Sequence, residues 1–268
     1  MRVFTLVADG VRNLARLQLS PRERFNVFVG DNGQGKTNLL EAIYTIATLR
    51  SFRTTKLSDL VAFGATEARL GARVVKDELV RVYEVDLAPG SKKVRLDGKA
   101  PRPLARYFGG FNVVVFTPED LALPRGSPGD RRRFLDRGVF NDQPSYLATA
   151  TDYDKVLKTR NSVLKQAGQG TLAGRQLEEL LAVYDAQLAV LAVSVIAART
   201  RFLERIAPEM AKAFSAITRT GLAASARYVS KLVGKTAEDI EREMREGRVK
   251  DLATQSTQLG PHRDDVML

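Results

Sequence analysis

Residues 25–49 read FNVFVGDNGQGKTNLLEAIYTIATL, and this stretch decides the fold class. The apolar run Phe25–Val29 predicts a short strand. A glycine-rich segment follows it, and apolar residues then recur at helical spacing between Leu39 and Leu49. A strand, a glycine-rich loop and a helix in this order are typical of an α/β protein.

The glycine-rich segment, GDNGQGKT at 30–37, matches the phosphate-binding pattern G-x-x-x-x-G-K-[ST]. Its glycines let the backbone curl so that N–H groups face phosphate oxygens, and the following helix adds a partial positive charge. We expect Lys36 to reach the β- and γ-phosphates and the Thr37 hydroxyl to bind Mg²⁺. The predicted nucleotide-binding residues are Gly30, Asp31, Asn32, Gly33, Gln34, Gly35, Lys36 and Thr37, with Thr37 also the predicted metal ligand.

Hydrolysis of a bound triphosphate needs a further acidic residue, normally at the end of a buried strand. The segment FNVVVF at 111–116 is a continuous apolar run of the kind that predicts a fully buried strand. Glu119 and Asp120 follow it, but Pro118 interrupts the pattern before them. The sequence therefore predicts nucleotide binding and leaves hydrolysis open.

The rest of the chain divides into a strand-rich part and a helical part. A hairpin is predicted in the first 25 residues, with its turn near Asp9-Gly10, and antiparallel strands are predicted over 68–96. Ser127, Pro128 and Asp130 resemble a helix start. The remaining predicted elements are helices at about 145–166 and 176–220, a break or kink at Pro208, a strand at 226–229, a helix capped by Thr236, and a strand beginning at 266. Because that last strand is cut short, we expect the chain to be truncated.

The composition excludes several classes of protein. The chain has no cysteine and one histidine, His262, so disulfide frameworks, thiol chemistry and multi-histidine metal sites are excluded. The first ten residues lack the apolar core of a signal peptide. The longest uncharged apolar stretch, Ala186–Ala198, has about 13 residues, which is too few to span a bilayer. We expect a soluble cytoplasmic protein without a membrane partner.

A net charge of +11, from 42 Lys and Arg against 31 Asp and Glu, favours a polyanionic partner. Arginines at 131, 132, 133 and 137 lie early in a predicted helix, where positive charge opposes the helix dipole. Internal ion pairs, a partner's carboxylates or DNA phosphates could each compensate them. A second basic stretch runs from 92 to 106. The candidate DNA-binding residues are Arg131, Arg132, Lys92 and Lys93.

Several segments, taken in order along the chain, resemble the RecF family of bacterial DNA replication and repair proteins. They are Arg12-Asn13-Leu14, GDNGQGKTNLLEAIY at 30–44, Ser51–Thr54, FTPEDLALPRGSPGDRRRFLD at 116–136, and GPHRDD at 260–265. Pro124 departs from the family pattern, which has an aliphatic residue there. The resemblance covers essentially the whole chain.

This resemblance implies an α/β fold, an ABC-type P-loop ATPase lobe whose mixed sheet has antiparallel strands, with an inserted helical lobe. By its pattern, residues 1–140 form the first part of the ATPase lobe, 141–220 the helical lobe, and 221–268 an incomplete return to the ATPase lobe. It also implies that the loop binds ATP–Mg²⁺, that Asn13 and Arg12 lie near the nucleotide, and that Thr117–Asp120 contribute to the metal or water. ATP would join two subunits into a homodimer.

The implied partners are DNA, as single strands and gapped duplex, together with RecR and RecO, with which the family loads recombinase at single-strand gaps. Recombination, replication and the SOS response are the implied processes. The family's signature loop and the acidic end of its buried strand lie beyond 265, so ATPase activity is left open. Two alternatives also stay open: a P-loop small-molecule kinase, and a nucleotide-binding fragment that does not hydrolyse.

Overall fold

A computed structural model describes residues 1–268, and it has the predicted α/β composition. The strands are β1 (Arg2–Val11), β2 (Leu14–Leu19), β3 (Ala68–Lys76), β4 (Leu79–Ala88), β5 (Ser91–Leu96), β6 (Arg227–Val229) and β7 (Asp265–Met267). The helices are α1 (Lys36–Thr48), α2 (Pro128–Asp142), α3 (Tyr146–Gly168), α4 (Gly174–Thr218), α5 (Ala237–Glu246) and α6 (Arg248–Thr254). The chain forms two compact units, Met1–Phe116 and Thr117–Leu268.

The first unit is a five-stranded antiparallel sheet with α1 packed on one face. The strand order is β2-β1-β3-β4-β5. Alternate residues along β1, β3 and β4 point to the same face, and on that face they are buried against the apolar side of α1. The core formed in this way includes Leu6, Ala8, Leu70, Ala72, Val85, Leu87, Leu39, Ala42 and Ile46. The core fixes the start of α1, and with it the glycine-rich loop.

The predicted first hairpin forms, but its predicted turn near Asp9-Gly10 is wrong. β1 continues to Val11, and the chain reverses at Arg12 and Asn13, where Arg12 has φ 53°. Val11 pairs with Leu14 across this two-residue turn. Gly10, at φ 62°, lies within β1, and its carbonyl accepts a hydrogen bond from the Ala62 N–H. The shift places Arg12 and Asn13 at the turn itself.

Two predicted strands do not form. Residues 25–29 and 111–116 form no strand. Phe25, Val29 and Val114 are 81%, 91% and 92% exposed, although Phe111 is buried. A strand requires a neighbour to pair its backbone groups. No strand of residues 1–268 pairs with either segment. Their apolar composition is typical of a buried strand, but a strand forms only where a second strand is available to pair with it.

The second unit contains five α-helices, of which α4 is the longest, and the small antiparallel pair β6–β7. Ser127 caps α2 as predicted, accepting a hydrogen bond from the Asp130 N–H while the Asp130 carboxylate accepts from the Ser127 N–H. Thr236 and Asp239 form the same reciprocal cap on α5. The strand predicted to begin at 266 is β7, which pairs with β6.

Helix α4 runs without interruption for 45 residues, so the helix is not broken at Pro208, and the alternative of a kink there stays a prediction. Proline removes one backbone N–H and therefore leaves the Glu204 carbonyl without its helical partner. Glu204 is exposed, so water can satisfy that carbonyl. By length and composition alone α4 could also cross a membrane. Its buried side chains, Leu188 and Val195 among them, form the core of this unit, and a soluble protein's core helix passes the same test.

The boundary between the compact units falls at Phe116 and Thr117, whereas the sequence predicts boundaries near 140 and 220. Residues 221–268 belong to the second unit together with α2, α3 and α4. Their assignment to an ATPase lobe stays a prediction.

Candidate nucleotide-binding loop

The backbone of the glycine-rich loop takes conformations that favour glycine. Gly30, Gly33 and Gly35 have φ of 156°, 85° and 91°. At Gly35 space is also restricted, because a Cβ atom there would lie 2.7 Å from Asn13 Oδ1 and 2.9 Å from Leu14 Cδ2. At Gly33 an added Cβ would meet nothing within 4 Å. Gly35 is therefore required both for backbone conformation and for close packing against the first hairpin.

The loop leads directly into the amino end of α1, whose first N–H groups are free. Gly35 is the N-cap residue, and no side chain caps this helix. The first backbone hydrogen bond joins the Leu39 N–H to the Gly35 carbonyl, at 2.9 Å. The N–H groups of residues 36–38 have no partner within the protein. Uncapped N–H groups and the helix dipole together make this end of α1 suited to an anion.

Lys36 and Thr37 supply the charged and hydroxyl groups of the loop. Lys36 Nζ donates to the carbonyl oxygens of Gly30 and Asp31, at 2.6 and 2.8 Å, which holds the amine across the loop. The Thr37 side chain is exposed and makes no hydrogen bond within the protein. These groups fit a polyphosphate with Mg²⁺, because the amine can neutralise phosphate charge and the hydroxyl can enter the coordination sphere of the metal.

Asn13 lies against the loop from the turn of the first hairpin. Its Nδ2 donates to the Gly33 carbonyl oxygen at 2.6 Å, and its Oδ1 accepts from Asn38 Nδ2 at 2.7 Å. The family resemblance placed Asn13 near the nucleotide, and the structure places it in contact with the loop that would hold the nucleotide.

A buried ion cluster behind the loop was missed by sequence reasoning. Glu41, on α1, is fully buried and accepts hydrogen bonds from Arg12, Arg53 and Ser51, at 3.1, 3.1 and 2.5 Å. Burial alone would raise the pKa of Glu41, but the hydrogen bonds from Arg12 and Ser51 and the two positive charges hold it below its usual value. The available signal was an acidic residue on the apolar face of a predicted helix, which requires a partner.

In the acidic segment 117–120, the Asp120 carboxylate accepts hydrogen bonds from neighbouring residues of the second unit. Asp120 Oδ2 accepts from the backbone N–H and hydroxyl of Thr117, at 2.8 and 3.0 Å, and caps a short 3-10 helix, Pro118–Arg125. Arg137 donates to Asp120 Oδ1 at 3.0 Å. Burial tends to raise the pKa of Asp120, but these hydrogen bonds and the positive charge keep it below its usual value. The role of this segment at a metal or water stays a prediction.

The arginines at the start of α2 have partners within the second unit. Arg131 forms a bidentate pair with Asp265, with both N···O distances 2.7 Å, and Arg132 donates to the Asp264 carbonyl oxygen at 2.6 Å. Arg133 pairs with Asp130 on the same helix. Intramolecular acceptors therefore offset the positive charge at this helix end, as one of the sequence hypotheses expected.

Lys92 and Lys93 lie on the edge strand β5 and point to opposite faces of the sheet. Lys92 stands opposite Leu87, which is buried in the core, and Lys93 stands opposite Asp86. Asp86 already accepts hydrogen bonds from two arginines, Arg69 and Arg95. Desolvation and the nearby charge of Arg50 lower the pKa of Lys92. Neither lysine forms a salt bridge within the chain.

Both ring nitrogens of the single histidine, His262, have partners within the chain. Tyr153 and His262 Nδ1 form a hydrogen bond of 2.7 Å, and His262 Nε2 lies 3.0 Å from the Thr257 carbonyl oxygen. A carbonyl only accepts, so Nε2 carries the proton and Nδ1 accepts from the tyrosine hydroxyl. Burial lowers the pKa of His262 to about 4. No group of three or more His, Cys, Asp or Glu side chains in the chain could hold a metal.

No protein-family model matches the chain, but curated relatives and solved structures do. It is 36% identical over 272 residues to the DNA replication and repair protein RecF of Geobacter sp. strain M21, covering 99% of this chain and 72% of the relative. It is 37% identical over 276 residues to RecF of Myxococcus xanthus, covering 99% and 71%. Solved structures of the recombination mediator RecF with ATPrS and with ATP, in the RecFOR pathway, align with a TM-score of 0.88 each, at 28% and 29% identity. They cover 98% and 99% of this chain, and each alignment takes in 72% of the solved chain.

The glycine-rich loop with its Lys36 and Thr37, and the free amino end of α1 that follows it, define the class of P-loop proteins. Within that class, the relatives and solved structures reported above are all RecF proteins. The chain belongs to the RecF family of DNA replication and repair proteins. This membership supports the repair hypothesis over the small-molecule kinase hypothesis.

Proposed function

We propose that this chain binds Mg²⁺–ATP on the loop 30–37 and acts in recombinational DNA repair. The observation that carries the proposal is the loop itself. Three glycines hold its backbone in an open curl, and the N–H groups of residues 36–38 are free at its end. Solved relatives of the RecFOR pathway that align over nearly the whole chain carry ATP or ATPrS, which supports the choice of nucleotide.

In this proposal each group of the loop has one task. The free N–H groups bind phosphate oxygens, and Lys36 moves its donors from the loop carbonyls to the β- and γ-phosphates. The Thr37 hydroxyl and the phosphates hold Mg²⁺, which neutralises the negative charge of the triphosphate. Nucleotide state then sets the association of two copies of the chain into a homodimer, because ATP contacts both subunits when bound.

The substitution Lys36→Ala tests the site. Removing the amine eliminates the cation that neutralises phosphate charge, so we expect binding of ATP with Mg²⁺, measured by isothermal titration calorimetry, to be lost. Lys158→Ala removes an exposed lysine from α3 in the other unit and is the matched control. Binding by Lys36→Ala as tight as that of the unaltered chain would overturn the proposal.

We further propose that the cytoplasmic partners are single-stranded and gapped DNA, RecR and RecO. A net charge of +11 and the RecFOR relatives support this proposal. Of the predicted DNA-binding residues, Lys92 and Lys93 have no carboxylate partner, whereas Arg131 pairs with Asp265 and Arg132 donates to the Asp264 carbonyl. The lysines are therefore better placed than Arg131 and Arg132 to contact DNA phosphates.

The dependence of DNA affinity on salt tests the two lysines. Removing a side chain that binds one phosphate reduces the slope of log Kd against log salt by about one. Lys92 and Lys93 point to opposite faces of the sheet, so a DNA strand on one face would contact only one of them. The DNA affinity of Lys92→Gln and of Lys93→Gln is therefore measured separately by fluorescence anisotropy, with Lys158→Gln as control. We expect one of the two to reduce the slope. Slopes unchanged in both variants would exclude this edge strand as a DNA contact.

A further inference from the structure

The loop carbonyl of Gly33 is held by a chain of three hydrogen bonds that begins at a buried ion cluster. Arg53 Nη1 donates to Asn38 Oδ1 at 2.7 Å, Asn38 Nδ2 donates to Asn13 Oδ1 at 2.7 Å, and Asn13 Nδ2 donates to the Gly33 carbonyl at 2.6 Å. We call these three bonds the amide relay. It joins the loop to α1, to the first hairpin and to the segment after α1.

The polarity of the amide relay is fixed at both ends. A guanidinium group has only donors, so Asn38 must present its oxygen to Arg53 and its NH₂ to Asn13. A backbone carbonyl only accepts, so Asn13 must present its NH₂ to Gly33. With both ends fixed, neither amide can flip without losing a hydrogen bond.

Glu41 anchors the beginning of the relay. Its buried carboxylate accepts from Arg53 at 3.1 Å and from Arg12 at 3.1 Å, which holds the Arg53 guanidinium on the side of Asn38. Arg12 precedes Asn13 in the hairpin turn, so the same carboxylate also fixes the residue next to the last amide of the relay.

The Gly33 carbonyl needs such a restraint. Gly33 has φ 85°, no atom lies near the position of a Cβ, and glycine rotates readily there. A carbonyl oxygen turned toward the free N–H groups of residues 36–38 would repel a phosphate bound there, whereas the bond from Asn13 keeps the Gly33 carbonyl from turning.

We propose that Asn38 is a positioning residue for the nucleotide, which acts through Asn13 to keep the Gly33 carbonyl out of the phosphate site. This inference rests on the proposed function of the loop. It assigns Asn38 a task that involves no contact with the nucleotide, and it makes Asn38 and Asn13 act on the same carbonyl.

A double-mutant cycle tests the relay, with ATP and Mg²⁺ as the probe and calorimetry as the readout. We expect Asn38→Ala and Asn13→Ala each to raise Kd by about tenfold, because in each variant the Gly33 carbonyl is no longer held by the relay. The double variant should bind no more weakly than the weaker single variant, because both act through the same bond to Gly33. Arg53→Met interrupts the relay without altering either amide and should weaken binding as well. Because it also removes one partner of the buried Glu41, its thermal unfolding is measured alongside.

Asn26→Ala is the matched control, because Asn26 makes hydrogen bonds only with Arg22 just before the loop. Thermal unfolding without nucleotide separates positioning from stability, and we expect Asn38→Ala, which loses two exposed hydrogen bonds, to remain folded with a midpoint lowered by no more than about 4 °C. Unchanged Kd in Asn38→Ala, or a double variant whose loss is the product of the single losses, would overturn the inference. The proposed function fails separately, if the unaltered chain does not bind ATP or if Lys36→Ala still binds it.

Discussion

Gly35 is the position in the phosphate loop where an added methyl group has least room. Its Cα–H faces Asn13 and Leu14 of the first hairpin, and its φ of 91° already disfavours other residues. The motif predicts a glycine here for backbone conformation, but the contact with the hairpin could not be predicted, because it depends on where the hairpin turns.

Gly35→Ala and Gly33→Ala form a matched pair of substitutions. Both residues have positive φ, so both variants incur backbone strain of about 1–3 kcal/mol. Only Gly35→Ala also forces Asn13 and Leu14 to move, which we expect to cost about 1–3 kcal/mol more. Urea unfolding measures the difference, and equal losses of stability in the two variants would contradict the packing described for Gly35.

His262 makes the stability of the protein depend on pH. Its pKa is about 4 in the folded protein, below the ordinary histidine value of 6.5, so the folded state disfavours the charged form. The contribution of neutral His262 to the free energy of unfolding is complete above pH 6.5. It falls as the pH decreases from 6.5 to about 4, and it changes no further below pH 4. The full effect is roughly 3 kcal/mol.

The contribution of His262 is measured as a difference between the unaltered chain and His262→Gln, since neighbouring groups titrate too. Burial raises the pKa of Asp264, which gives that carboxylate a pH dependence of opposite sign. We expect the gap in unfolding free energy between the two proteins to narrow as pH falls from 6.5 to 4. A gap that is constant over this interval would show that His262 is not buried in its neutral form.

At the scale of elements, a buried ion cluster joins α3, α4 and α6. Arg160 is fully buried and donates to Asp185 at 2.6 Å, to Asp251 at 2.7 Å and to Thr257 at 2.8 Å. Arg248 completes the cluster through Asp185. Helical periodicity predicts these helices, but it does not show that charged residues lie between them.

Arg160→Met removes the shared cation and leaves two buried carboxylates with fewer partners. We expect a loss of about 3–5 kcal/mol in the free energy of unfolding, measured with urea. Arg175→Met breaks the exposed pair of Arg175 with Glu179 and should change stability by no more than about 0.5 kcal/mol. Similar small losses in both variants would mean that the Arg160 cluster contributes little to the packing of these helices.

The elements that sequence predicted best have all of their determinants close together in the chain. The caps of α2 and α5 join residues three positions apart, and the antiparallel strands over 68–96 pair with the next strand along the chain; both form as predicted. Residues 25–29 and 111–116 have the composition of buried strands but no partner strand in residues 1–268. Strand pairing depends on distant segments, so composition alone predicts it poorly.

For the molecule as a whole, the sequence predicted a phosphate-binding loop at 30–37, but it did not predict which side chains from other segments contact that loop. The segment 30–37 identified the phosphate loop because its eight residues contain the motif. Glu41 and Asn38 could not be assigned a task, because their partners Arg12, Arg53 and Asn13 come from separate segments of the chain. The alignments with the curated relatives include nearly all of this chain and 71–72% of the length of each relative. The shared sequence is therefore most of each relative.

Hydrogen–deuterium exchange with and without ATP and Mg²⁺ tests most directly where the nucleotide binds. Phosphate oxygens should accept from the N–H groups at residues 36–38, which have no partner in the protein. We predict slower exchange in peptides covering 30–38 when ATP is added, and no change in peptides from α3. Unchanged exchange at 30–38, together with protection elsewhere, would place the nucleotide at another site and contradict the assignment of the loop.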